Sequence, residues 1–391
     1  MLRGIFKLNH KIVFFLLVFN IAFTVSALTP TIPQRAYSLG ASEIEIGILG
    51  FLISAAYTVF PFVFSIFVDL IGKIRLIQGG LISYIILIVL YSIVDNVQRM
   101  LVLRFLEGVI IAAVWPTLDA LAHDISQEMK SERGLSLFST SWSLGYALGP
   151  LTLGQMIDAY GFTMSLSLLL MTMLISLFLC LSLKYKEKAT EKMKFREVIK
   201  LMGTKDYFFH VILPAFVLGY DIGVLFNVFP AYAASLNISP STIGALFLAF
   251  MGVRVLFFGL TSVPRSILGL ISWKFTGLIL LGFSFFCLSE VFVVDLWYPI
   301  FCIIGIAASL LYLASLSSAL SVSSVIRSSS AGAFETSWGF GSMTGSLLSG
   351  FIASLLSFPY AFLLSGIISI ISSLFMLFYS LRAKSWHRLQ P

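Results

Sequence analysis

Apolar residues along this chain come in blocks of about twenty, broken by short polar stretches, the length a helix needs to cross a hydrocarbon core about 30 Å thick. The blocks predict twelve membrane-spanning helices near residues 12–30, 45–68, 76–94, 100–122, 135–157, 162–183, 207–232, 241–263, 275–294, 298–322, 333–356 and 360–380. The first block, with "VSA" near its end, has features of a cleaved signal peptide. Its near-full spanning length, at the head of a membrane protein, makes it a retained first helix.

The polar breaks carry the orientation. With the N-terminus placed in the cytoplasm, 21 of the 25 Lys and Arg fall in inner segments, Lys274 among them, and only Arg35 and Arg99 fall outside. Arg104 and Arg254 lie within spans. A multi-pass protein of the plasma membrane with both termini cytoplasmic is therefore expected. The one long polar segment, 184–206, divides the spans six and six, giving an N-terminal bundle 1–183, a basic cytoplasmic linker and a C-terminal bundle 207–391.

Composition agrees: 59% of residues are hydrophobic and 11% charged, against roughly 25% charged in a soluble domain. The net charge of +7 follows from topology and carries no nucleic-acid meaning. Cys180, Cys287 and Cys302 sit in apolar spans without CxxC spacing and read as small buried hydrophobes.

The chain also repeats itself. At an offset of 196, Phe138, Thr140, Ser141, Trp142, Gly145, Gly149, Leu151 and Gly154 meet Phe334, Thr336, Ser337, Trp338, Gly341, Gly345, Leu347 and Gly350. At an offset of 197, Pro33, Ala36, Ser38, Leu39, Ser42, Ile46, Gly47 and Leu49 meet Pro230, Ala233, Ser235, Leu236, Ser239, Ile243, Gly244 and Leu246. Copies six spans apart share one orientation across the membrane, so this is a parallel repeat of two six-helix bundles.

That parallel relation is the one found in major facilitator transporters, and particular residues extend the resemblance. "SIFVDLIGKIRLI" resembles the superfamily's loop signature GxLaDrxGRkxxl through Asp69 and Gly72, with Lys73 for its arginine and Arg75 close by; Ser65 and Leu70 depart from it. "RFLEGVIIAAVWP" resembles the RxxxG signature through Arg104 and Gly108, and "SERG" at 131–134 a second loop signature. "GYALGPLTLG" is similar to the GxxxGPxxGG pattern of antiporters, with Thr152 and Leu153 in its departing tail. The loop after the eighth span lacks the equivalent aspartate. The chain thus resembles the major facilitator superfamily, with features of prokaryotic drug and sugar proton antiporters. The resemblance implies an all-α fold of twelve helices in two pseudo-symmetric bundles, alternating access and a central solute site. It also implies gating by Asp69, Gly72, Lys73 and Arg75, with Asp124 a further partner.

The glycines have a physical reading of their own. Helices in lipid associate through small residues that let backbones approach. Gly145, Gly149 and Gly154, with their counterparts Gly341, Gly345 and Gly350, read as packing positions or, beside Pro150, as a bending seam.

A charge in mid-bilayer costs about 2.5–3.5 kcal/mol on the insertion scale, so each needs a reason. Asp221, between glycines in "VLGYDIGVLF", is the first choice for a proton or substrate carboxylate, alone or paired with Arg254. Arg104 and Glu107, three apart, neutralise one another or meet a proton or anion. Asp119 reads as a coupling group or a snorkelling one, and Glu335 as a helix-start carboxylate. Asn20, Thr24, Tyr57, Trp115, Trp142, Tyr220, Asn227 and Trp338 suit a cavity wall.

No Walker A, HExxH or CxxC pattern and no nucleophile elbow occurs, so neither an enzyme nor a cofactor or metal is expected. The leading expectation is secondary transport of a small organic solute, with protons as coupling ion and efflux as direction, by a monomer in the lipid bilayer. The alternatives are uptake or uniport of a sugar or organic anion, and a non-transporting receptor.

Overall fold

The computed structural model describes residues 10–128, 133–183, 203–260, 263, 266–322 and 327–382. The residues 184–202 of the expected linker, and 131–132 of the "SERG" signature, lie outside them. Twelve long helices are found among the described residues. In the first half they are α1 (His10–Ser38), α2 (Glu43–Ile71), α3 (Lys73–Ile93), α4 (Val97–Glu128), α5 (Arg133–Tyr160) and α6 (Phe162–Ser182). In the second half they are α7 (Lys205–Ser235), α8 (Pro240–Leu260), α9 (Ile267–Glu290), α10 (Val294–Leu320), α11 (Arg327–Leu355) and α12 (Phe358–Arg382). Several outrun their apolar blocks, because polar residues at the ends, such as Glu43 and Glu45 at the start of α2, continue the helix beyond the hydrocarbon.

Ten of the twelve are long and apolar enough to cross a membrane. The other two, α5 and α11, are the pair that carries the repeated TSW segment, rich in Gly, Ser and Thr. Their low hydropathy has a structural cause: they are packing helices whose small residues meet backbone rather than lipid.

The internal repeat is visible in the packing. In the first bundle α1 lies on α5, α2 on α4, and α3 on α4 and α6; in the second, α7 lies on α11, α8 on α10, and α9 on α10 and α12. Each pairing recurs six helices later. The glycines explain why the sequence repeats with it. A methyl group at Gly145 or Gly149 would meet the Phe19 or Phe23 carbonyl of α1, and one at Gly341 or Gly345 would meet the Phe216 or Tyr220 carbonyl of α7. These four positions fasten helices within a bundle.

Four other glycines of the repeat, Gly47, Gly154, Gly244 and Gly350, fasten the bundles to each other. Gly350 of α11 lies against the Gly47 backbone of α2, while Gly154 of α5 meets Pro240 of α8, and Gly244 of α8 meets Pro150 and Leu151 of α5. The first echo in one half therefore packs on the second echo in the other. Around these approaches Ser54 shares a 2.9 Å hydrogen bond with Ser342, and the Ser241 amide donates to Asp158 at 3.1 Å. All of these contacts lie away from the end that carries the start of α1, the end of α12 and the α2–α3 connection, the basic end.

Helix α7 is the irregular one. It widens into π turns at Phe208–Ile212 and Val224–Val228, each just before a proline, Pro214 or Pro230. A proline lacks the N–H that would close the ordinary turn four residues back and its ring crowds that carbonyl, so the wider turn accommodates it.

Candidate functional site

Between the bundles, towards the basic end, two carboxylates from opposite halves share one space. Asp119 of α4 and Glu335 of α11 are both exposed and lie within electrostatic reach of each other. Glu335 is thus eight residues into its helix and not at its start, so the capping reading gives way to a position on the wall of the gap. Half-buried Tyr57 of α2 is within reach of both carboxylates, and Tyr312 of α10 within reach of both and of Arg254. The half-buried Trp115 and Trp142 rings stand edge-on to Tyr146, with centroids 6.0 and 5.7 Å away. Trp338 is half-buried on α11, and Asn20, on α1, donates to the Leu16 carbonyl at 3.0 Å.

The expected Asp221–Arg254 pair is not formed. Asp221 is buried, its Oδ2 accepts a 2.6 Å hydrogen bond from Ser369 of α12, and its Oδ1 has no partner. Arg254 instead places its guanidinium over Phe250 and Phe258 of its own helix, at 5.3 and 5.5 Å from the ring centroids. Residues four apart on a helix stack on one face, so the two phenylalanines bracket the arginine and occupy the geometry that the ion pair was expected to use.

Arg104 and Glu107 do pair, at 2.7 Å and fully buried. Glu107 also accepts from Tyr84 at 3.0 Å and Tyr91 at 2.8 Å, which satisfies both carboxylate oxygens. The second guanidinium nitrogen reaches across the bundles to Asn227 Oδ1 at 3.3 Å, and Asn227 donates to Gly223 and Ser346. Asn227 and Tyr220, expected in a cavity wall, are buried in this packing and do not line the gap. Thr24, another such expectation, is fully buried and bonds to Thr172 of α6.

At the α2–α3 turn, Gly72 has φ +87 and its N–H closes α2 on Val68. Lys73 is buried and pairs with Asp124 at 2.5 Å, tying the turn to the end of α4, while Arg75 is exposed. Asp69 lies within α2, and its side chain is outside the described set.

Sequence reading missed Lys274. Assigned to a loop by the charge pattern, it stands inside α9 and is buried. Its ammonium donates to the His210 carbonyl at 2.8 Å and to Ser318 at 2.7 Å. The signal was Pro214: four residues after His210, it has no N–H to give that carbonyl, which leaves an acceptor for another donor. No metal-ligand grouping of three His, Cys, Asp or Glu occurs among the described residues.

These features define a polytopic helical membrane protein with two bundles closed on each other at one end and separated by a charged gap towards the other. The family model of the Major Facilitator Superfamily matches residues 14–214 and 211–390, and the chain belongs to that superfamily. It is a transporter and not an enzyme. An uncharacterized MFS-type transporter, MJ1560 of Methanocaldococcus jannaschii, is 26% identical over 159 residues, 40% of this chain and 41% of that protein. The match thus spans about two-fifths of that relative's length. The nucleoside transporter NupG has the same fold, with a TM-score of 0.77 at 14% identity over 96% of this chain and all of that one. So does a bacterial homolog of the human lysosomal transporter Spinster in an inward-facing, unoccupied conformation, with a TM-score of 0.73 at 14% identity over 96% and 98% of the two chains.

Proposed function

We propose that the protein is a proton-coupled exporter of a small organic solute, working as a monomer in the plasma membrane by rocking bundle 1–183 against bundle 207–391 about the central gap. The observation that carries the reading is one-sided closure. The close approaches Gly47–Gly350, Gly154–Pro240 and Gly244–Pro150 lie away from the basic end, while Asp119 and Glu335 stand exposed towards it. The positive-inside rule makes the basic end cytoplasmic, so this is the inward-open member of an alternating pair. The Lys73–Asp124 bridge and the neighbouring Asp69 then belong to the gate that closes when the solute side reverses.

Asp221 is the proton site in this scheme. Its unpartnered oxygen leaves room for a proton, and its bond to Ser369 makes the packing of α7 on α12 responsive to that proton. One charge moved through 100 mV is worth about 2.3 kcal/mol, enough to drive such a step.

The test is proton movement in proteoliposomes carrying a trapped pH dye, challenged with cationic, neutral and anionic compounds, beside Asp221→Asn. A compound-dependent pH change that the variant loses is expected. Labelled-solute flux that is indifferent to a pH gradient in both proteins rejects proton coupling in favour of uniport.

A further inference from the structure

We propose that the central gap takes an amphoteric solute, one bearing a cationic group and an anionic group, with the cation held by Asp119 and Glu335 and the anion by Arg254. The inference rests on the transport reading above and names the chemical class that its site admits.

The charges are arranged for such a ligand. Asp119 and Glu335 form the negative wall, one from each bundle, and neither makes an ion pair with any described residue. Arg254 is the positive wall, likewise outside every ion pair, and its buried Nε has no hydrogen-bond partner. A guanidinium in a membrane protein that neither pairs nor reaches water on all sides is expensive to keep. Phe250 and Phe258 offset part of that cost and fix the side chain, and Gly305 lets α10 pack close on α8, since a methyl group there would lie 2.5 Å from the Phe250 carbonyl.

Tyr312 connects the walls. Its ring stands 6.2 Å from Phe258, beside Arg254, and 5.5 Å from Phe334, the neighbour of Glu335. The phenol is within electrostatic reach of Arg254, Asp119 and Glu335 together. Arg254 and the carboxylates therefore flank one aromatic side chain without bridging it, and opposite charges held apart across an aromatic floor suit a bound molecule that completes both pairs. A purely cationic solute would leave Arg254 unanswered, and a purely anionic one would face two carboxylates.

The test needs no flux. Purified full-length protein in lipid nanodiscs is assayed by equilibrium dialysis and thermal protection against three matched sets: L-phenylalanine, phenethylamine and 3-phenylpropionate; L-tryptophan, tryptamine and indole-3-propionate; L-norleucine, pentylamine and hexanoate. In at least one set the amphoteric member is expected to bind about tenfold or more tighter than both single-charge analogues, since each extra charge contact contributes on the scale of one decade in affinity. Arg254→Gln should reduce its affinity to that of the amine, Arg254→Lys should keep most of the preference, and Glu335→Gln or Asp119→Asn should reduce it towards that of the acid. An amine that binds as tightly as its amphoteric partner, with Arg254→Gln indifferent, would overturn the proposal in favour of a cation site. A preferred acid, or no binding by any of the nine compounds, would overturn it as well. If the amphoteric compound binds but moves no protons in liposomes, the ligand class stands and the proton-coupling reading fails.

Discussion

The two halves share a packing plan but treat their buried charges differently. Among the described residues of the first bundle each buried charge has an opposite one: Arg104 with Glu107, and Lys73 with Asp124. Tyr84 and Tyr91 complete the Glu107 carboxylate. In the second bundle Asp221 has a serine and Lys274 a serine and a backbone carbonyl, and neither has an ionic partner. Paired charges in a low-dielectric interior hold a structure in one arrangement, because separating them strands both. Charges answered only by neutral dipoles are cheaper to change, so the second half is where protonation or helix movement can alter the balance. On the proposed scheme, protonation is therefore expected to act through the second bundle, while the paired charges of the first hold its helices together.

The strongest way to break this contrast is to remove one member of a pair in the first bundle. Glu107→Gln leaves Arg104 buried without its counter-charge and should cost about 3–5 kcal/mol of stability, whereas Arg104→Met together with Glu107→Gln should recover much of that loss. Thermal unfolding of the purified variants reads both. A single variant as stable as the parent would show that Glu107, with its bonds to Arg104 of α4 and Tyr84 and Tyr91 of α3, does not hold this part of the bundle.

Lys274→Met sharpens the other side of the contrast. It removes the 2.8 Å bond to the His210 carbonyl, but Ser318 keeps its own bond to Ala314 at 2.9 Å, and an uncompensated charge leaves the interior. The net cost should be about 1–2 kcal/mol, clearly below that of Glu107→Gln. A loss equal to or above the Glu107→Gln loss would mean that Lys274 is a structural anchor and that the halves do not differ in kind.

Much of this architecture was legible in the chain. The twelve apolar blocks and the two echoes give the helices and their pairing, because lipid imposes block length and close helix approach imposes glycine. The Arg104–Glu107 pair was legible from its spacing of three. Partnerships between distant helices were less so. Nothing in the sequence says that Arg254 turns to its own Phe250 and Phe258 rather than to Asp221, because spacing along the chain does not fix how two distant helices face each other. Lys274 was misplaced because charge counting treats a lysine beside a polar break as solvated, and its burial depends on an acceptor exposed by a proline sixty residues away in the chain. Glu335 was misplaced because α11 starts at Arg327, earlier than its weakly apolar first turns suggest.

The smallest expected effect on stability falls on the residue expected to matter most for coupling. Asp221→Asn keeps an oxygen to accept from Ser369 and nearly the same volume, and the carboxylate it removes has no ionic partner to strand. Its new amide group occupies the side of the unpartnered oxygen, where it gains or loses at most one hydrogen bond, so stability should change by no more than about 1 kcal/mol. The variant cannot take up and release a proton, so solute-dependent proton movement should disappear while ligand binding at Asp119, Glu335 and Arg254 stays intact, as measured by thermal protection. A variant that loses several kcal/mol instead would place Asp221 with Glu107 among the structural charges, and the division between a paired and a titrating half would then have to be drawn elsewhere.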